Sequence, residues 1–110
     1  MMINADNQKG NCMKWLEVIE LRTAVKKKES LDLYIKCLFE DLNKESNQVI
    51  LKVLSHVAID CDYMIQLSHQ SQHIEMTGSD LGLRLVDVFK DFGLVNHNVW
   101  VERFHKQENR

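Results

Sequence analysis

The chain reads as an α+β domain with the element order β-α-β-β-α-β, and three observations predict it. Four segments are rich in β-branched and aromatic residues or alternate apolar with polar, as strands do. Two segments repeat apolar residues at the three-and-four spacing of a helix. The order is strand (15–23), helix (30–44), strand (48–59), strand (63–69), helix (79–92), strand (94–104). That is the split βαβ, or ferredoxin-like, arrangement: a four-stranded antiparallel sheet with two helices on one face.

The first strand, Trp15 to Thr23, carries apolar groups on both faces. Trp15, Ile19 and Leu21 share one face with Glu17; Leu16 and Val18 share the other with Glu20 and Arg22. This suits a central strand covered on each side. Ala24 to Lys28 read as a basic linker, and its three lysines as solvated rather than phosphate-binding. The first helix places Leu31, Tyr34, Ile35, Leu38, Phe39 and Leu42 on one stripe. Asp32/Lys36 and Glu40/Lys44 are favourable i,i+4 pairs outside it. Ser30 is its expected N-cap and Asn43 to Asn47 its stop. Cys37 falls within this pattern and is expected as a small core residue.

Residues 48–59 admit two patterns. Val49, Leu51, Val53, Val57 and Ile59 share strand parity, whereas Val49, Ile50, Val53, Leu54 and Val57 also fit a helical stripe. Their β-branched content favours the strand. Asp60-Cys61-Asp62 is the expected hairpin turn. Tyr63, Ile65 and Leu67 then alternate with Met64, Gln66 and Ser68. Thr77 or Ser79 can cap the second helix, whose stripe is Leu81, Leu85, Val88, Phe89 and Phe92. Lys90 falls in its last turn, and Gly93 is the expected left-handed residue ending it, with Leu94 closing over the end. The last strand sets Val95, Val99 and Val101 against Asn96, Asn98, Trp100, Glu102 and Phe104. Tyr63, Phe39, Phe89 and Phe92 are expected in the core.

Bulk properties narrow the function classes. A chain of 110 residues fits one domain: residues 1–13 are expected as a flexible leader, 14–104 as the domain and 105–110 as a tail. The apolar fraction is 45% and the charged fraction 27%, ordinary for a globule. A net charge of -2 gives no field to attract nucleic acid or anionic lipid. Neither partner is expected. Cys12, Cys37 and Cys61 are widely spaced and form no CxxC pair, which reads as unpaired thiols in a cytoplasmic protein. No apolar run approaches the ~20 residues of a membrane span. No metal or cofactor motif is present, and Gly78 and Gly82 in Thr-Gly-Ser-Asp-Leu-Gly lack phosphate-loop spacing.

If both helices cover one sheet face, the other exposes Leu16, Leu54, Met64, Trp100 and Phe104 beside polar groups. That patch is large for a monomer. A second copy laid sheet to sheet is its simplest cover, and the polar lining leaves room for a small-molecule ligand. With this face, the element order and lengths, the segments 17–22 and 93–100 in particular, the chain resembles the dimeric α+β barrel proteins. That group includes the antibiotic-biosynthesis monooxygenase-like and haem-degrading monooxygenase-like domains. The resemblance implies a homodimer with a ligand cavity. Some members oxidise a planar aromatic or tetrapyrrole substrate with O2 and no added cofactor, in a pocket of Asn, Trp and His or Arg. Here Asn98, Trp100 and His97 lie together on one strand.

Three functions therefore stand open: a non-catalytic homodimer that binds a ligand or serves assembly, a cofactor-independent monooxygenase-like enzyme and, behind these, a regulatory ligand-sensing domain. In the first, the ligand-binding candidates are Trp100, Asn98, Arg22, Glu20 and Gln66. In the second, Trp100 positions substrate, Asn98 hydrogen-bonds it, and His56 or His97 moves a proton. The same residues have plainer roles. Trp100 suits an interface anchor. Glu20 and Arg22 suit cross-strand pairing. His97, on the parity of Val95 and Val99, suits a hydrogen-bonded structural histidine. His69 and His73 have i,i+4 spacing, but a strand end and a loop make surface histidines of them rather than a zinc pair.

Overall fold

The computed structural model describes residues 12–44 and 49–107. Strand β1 spans Met13–Thr23, helix α1 Lys28–Lys44, β2 Ile50–Ser55, β3 Asp62–Ser71, helix α2 Asp80–Phe89 and β4 Gly93–Val101. The sheet order is β2-β3-β1-β4, every neighbouring pair antiparallel. Each helical crossover therefore skips one strand, which makes this a ferredoxin-like sheet with β1 in its interior, where the two-sided apolar pattern of β1 belongs.

Both helices lie on the same sheet face. Ile19, Leu21, Tyr63, Ile65 and Leu67 point to it and meet Leu31 and Ile35 of α1 and Leu85 and Phe89 of α2. Phe89 is fully buried, while Phe39 and Phe92 pack on the rim of this core. Burying one such side chain contributes about 1.5–3 kcal/mol, so this layer dominates the stability. Asp32 ties α1 to the sheet by accepting from the Tyr63 hydroxyl (2.8 Å). Its ionic partner is Lys28, at 3.6 Å, rather than Lys36. The expected Glu40/Lys44 pair and the helix stop beyond residue 44 lie outside the described side chains.

Several local expectations are corrected. The basic linker winds into a 3-10 turn, Val25–Lys27, which leads directly into α1. Ser30 is consequently inside the helix and caps nothing. Cys37 is exposed, because it sits off the Leu31–Ile35–Leu38 stripe. β2 stops at Ser55, where the His56 ring takes over the backbone: its Nδ1 accepts from the amides of Ala58 (3.0 Å) and Ile59 (3.1 Å). That local turn competes with strand pairing, leaves Val57 fully exposed, and lengthens the hairpin connection to 56–61. The start of this strand at Gln48 lies outside the described residues.

Helix α2 does not end on a left-handed glycine. Its last turn tightens through Asp91 N–H to Val88 O and Phe92 N–H to Phe89 O. Gly93 already pairs with Thr23 as the first residue of β4, and a Cβ there would overlap the Arg22 carbonyl. Leu94 is 76% exposed and closes nothing. β4 ends at Val101, leaving Phe104 exposed beyond it. Met13, expected in the leader, belongs to β1; the rest of that leader up to residue 11, and the last three residues of the tail, lie outside the described residues.

Candidate functional site

The open sheet face can be read row by row from the strand registers. One row is Ile50–Ser68–Leu16–Trp100 and the next is Lys52–Gln66–Val18–Asn98. Then come Leu54–Met64–Glu20–Asn96 and, at the far end, Asp62–Arg22–Leu94. All five ligand-binding candidates from the sequence share this face. They do not form one site. Successive rows are two residues apart along the strand, about 6.7 Å, so the Trp100 and Arg22 rows are separated by about 20 Å.

The candidates divide between separate depressions and the row between them instead. One, of about 430 Å³, lies at the Arg22 end and is lined by Glu20, Arg22, Leu54, His56, Met64 and Asn96 with their neighbours. Another, of about 530 Å³, lies at the Trp100 end between Leu16, Ile50, Ser68 and Trp100. Asn98 and Gln66 sit in the row between and line neither. Arg22 is engaged as the pairing argument expected: Nε and Nη2 grip the Asp62 carboxylate at 2.7 and 2.9 Å. That bidentate contact holds the Asp62 carboxyl below the usual range and raises the guanidinium. Glu20 accepts only from the Asn96 amide, at 3.3 Å.

The opposite face conceals a polar hub that the sequence reading missed. Glu17 of β1 is fully buried. Its Oε1 meets His69 Nε2 at 2.6 Å and the Ser79 hydroxyl at 2.5 Å. Its Oε2 meets His97 Nε2 at 2.9 Å and the Ser79 amide at 3.1 Å. Ser79 is also the N-cap of α2, its Oγ accepting from Gly82 N–H at 3.0 Å. Burial works to raise the Glu17 pKa, but the bonds from Ser79, His97 and His69 outweigh it and hold the carboxyl below its ordinary value. Glu17 is therefore ionised at neutral pH, and both histidines must donate through Nε2–H.

The neighbourhood is built around this carboxylate. Trp15 stacks on the His69 ring, centroids 4.0 Å apart and planes 16° from parallel, and its indole N–H donates to Ser71 Oγ. A Cβ at Gly82 would overlap the Glu17 carboxylate, and one at Gly78 the His97 ring. Gly78 also has a φ of 114°, a conformation that side chains disfavour. The two glycines without phosphate-loop spacing thus serve to let α2 approach Glu17. A carboxylate has about four acceptor sites, and four donors fill them here. The hub is a closed clamp joining β1, β3, β4 and the start of α2, with no lone pair left for a substrate.

These contacts reassign the histidines. His69 is not a surface residue: it follows Tyr63, Ile65 and Leu67 in parity and turns inward to Glu17. His73 remains exposed. His97 is a hydrogen-bonded structural histidine on the face opposite Asn98 and Trp100. Hydrogen-bond distances between Glu17 and both rings leave no space for an ion among them, and among the described residues no His, Cys, Asp and Glu group is arranged to hold a metal. No helix among them is long and apolar enough to cross a membrane. No family model, curated protein or solved structure matches the chain.

Proposed function

We propose that this chain acts as a homodimer of the dimeric α+β barrel kind, in which a second copy covers the open sheet face and assembly encloses a small-molecule site. The observation that carries this reading is the row containing Trp100. Trp100 is 60% exposed and Ile50 61%, with half-buried Leu16 in the same row. An aromatic beside one aliphatic, with a second exposed aliphatic at the far edge of the same row, is the composition of an interface core. The charges on this face also suit a like partner. Lys14, Arg22 and Lys52 balance Glu20, Asp62 and Glu102, so two copies meet without net repulsion.

Assembly is preferred to oxidation of an aromatic substrate on one geometric ground. His97 lies across the sheet from Asn98 and Trp100, and His56 lines the depression at the far end, so neither histidine assigned to proton transfer adjoins the proposed substrate platform. Sedimentation equilibrium tests the reading. The wild-type chain is expected at twice 12.9 kDa, and Trp100→Glu at 12.9 kDa with an unchanged circular dichroism spectrum. A wild-type chain that stays monomeric at about 100 μM would remove the basis for this proposal, because protein interfaces of ordinary strength are saturated there.

A further inference from the structure

The depression at the Arg22 end has a composition of its own. Its walls are apolar: Leu54, Met64 and Leu94 project from three different strands into about 430 Å³. Its polar groups do not cancel. Arg22 is spent on Asp62, gripped through two hydrogen bonds, and no cation lies within ion-pair distance of Glu20 among the described residues. Two carboxylates against one guanidinium leave one negative charge, placed at Glu20. Asn96 steadies that carboxylate from β4. At the rim, the His56 ring is fixed by its two backbone contacts, Nδ1 accepting from the Ala58 and Ile59 amides.

We infer that this depression binds a small organic cation: an ammonium group at Glu20, with an apolar body against Leu54, Met64 and Leu94. An anion is disfavoured, because the Arg22 guanidinium is already held by Asp62. A neutral molecule of the same shape gains the apolar contacts but not the charge contact. The inference goes beyond the assembly reading and does not need it, since every lining group belongs to one chain and lies at the end of the face away from Trp100.

Three probes of one shape test it: benzylammonium, benzyl alcohol and benzoate, titrated into the full-length chain at neutral pH and followed by amide NMR shifts. Benzylammonium is expected to give saturable shifts at Glu20, Met64 and Asn96. Benzyl alcohol should bind about two- to fivefold more weakly, the range of a solvent-exposed charge contact, and benzoate more weakly still. Glu20→Gln should bring benzylammonium down to the affinity of benzyl alcohol, while Glu102→Gln, on the same face but outside this depression, should change nothing. Running the titration on both wild type and Trp100→Glu, with sedimentation on the same samples, separates ligand binding from assembly. Equal affinity for benzoate, no loss in Glu20→Gln, or no saturable shift in either chain would overturn the inference.

Discussion

The two faces of this sheet each hold a residue that simple patterning would place on the other. On the covered face, a fully buried carboxylate, Glu17, sits among Trp15, Ile19 and Leu21. On the open face, Trp100 stands 60% exposed. The difference lies in the neighbours. Glu17 meets four donors from three elements, so its charge is solvated by protein instead of water. Trp100 stands beside Leu16 at the sheet edge, and among the described residues it is left largely uncovered. A buried charge whose hydrogen bonds are filled is a finished site; an exposed aromatic row is an unfinished one. The covered face accordingly carries the stability of the fold, and the open face is the one on which the proposed second copy would sit.

The sharpest way to break this contrast is to remove one residue from each face. Glu17→Ala leaves two partly buried histidine N–H groups and the Ser79 donors without an acceptor, and is expected to cost about 3–5 kcal/mol in urea denaturation. Trp100→Ala, measured on dilute protein, is expected to cost no more than about 0.5 kcal/mol. Equal losses would mean that the open face is part of the core.

A second test uses pH. The Glu17 carboxyl is held below its ordinary value of 4.5 in the folded chain. A lowered folded-state pKa gives stability that is fully present above the unfolded value and is lost as pH falls through the folded one. Wild-type stability should therefore decline from about pH 4.5 downward, beyond what exposed carboxylates produce. Glu17→Gln cannot titrate; it should be less stable at pH 7 and show a shallower acid slope. Parallel slopes for the two chains would show that Glu17 is not coupled to its donors.

Smaller in effect is Gly82→Ala, which drives a methyl into the Glu17 carboxylate and should cost about 1–3 kcal/mol. Its value lies in the double variant. With Glu17→Ala already in place the overlap is gone, so the two losses should fall short of additive. Full additivity would separate the glycine from the clamp.

Much of the architecture was legible because it is written in periodicity. The strand and helix order, the interior place of β1, the paired burial of both helices and the identity of the open face all follow from residue spacing. The hub was only half legible. Glu17 shares parity with Trp15, Ile19 and Leu21; His69 continues the series Tyr63, Ile65, Leu67; His97 lies between Val95 and Val99. Parity puts all three on the covered face, but their convergence depends on register. Glu17 is opposite Leu67 and Val99, which makes His69 and His97 its diagonal neighbours, and no local pattern encodes that alignment. The length of β2 was hidden for the opposite reason: alternation runs on through Val57 and Ile59, while the event that stops the strand is a side-chain turn made by His56. The ligand-binding candidates were read correctly onto one face, yet a face is about 20 Å long, and spacing along strands cannot divide it into sites.

Coverage of the open face is the central claim, and a freely diffusing paramagnetic probe measures it directly. At concentrations where the chain is paired, the signals of the Trp100 indole and the Leu16 and Ile50 methyls should be shielded from the probe. Those of Leu33 and Leu83, exposed on the outer sides of the helices, should be broadened. In Trp100→Glu the Leu16 and Ile50 methyls should broaden as well. A Trp100 indole in the wild-type chain broadened as strongly as Leu33 would contradict the account.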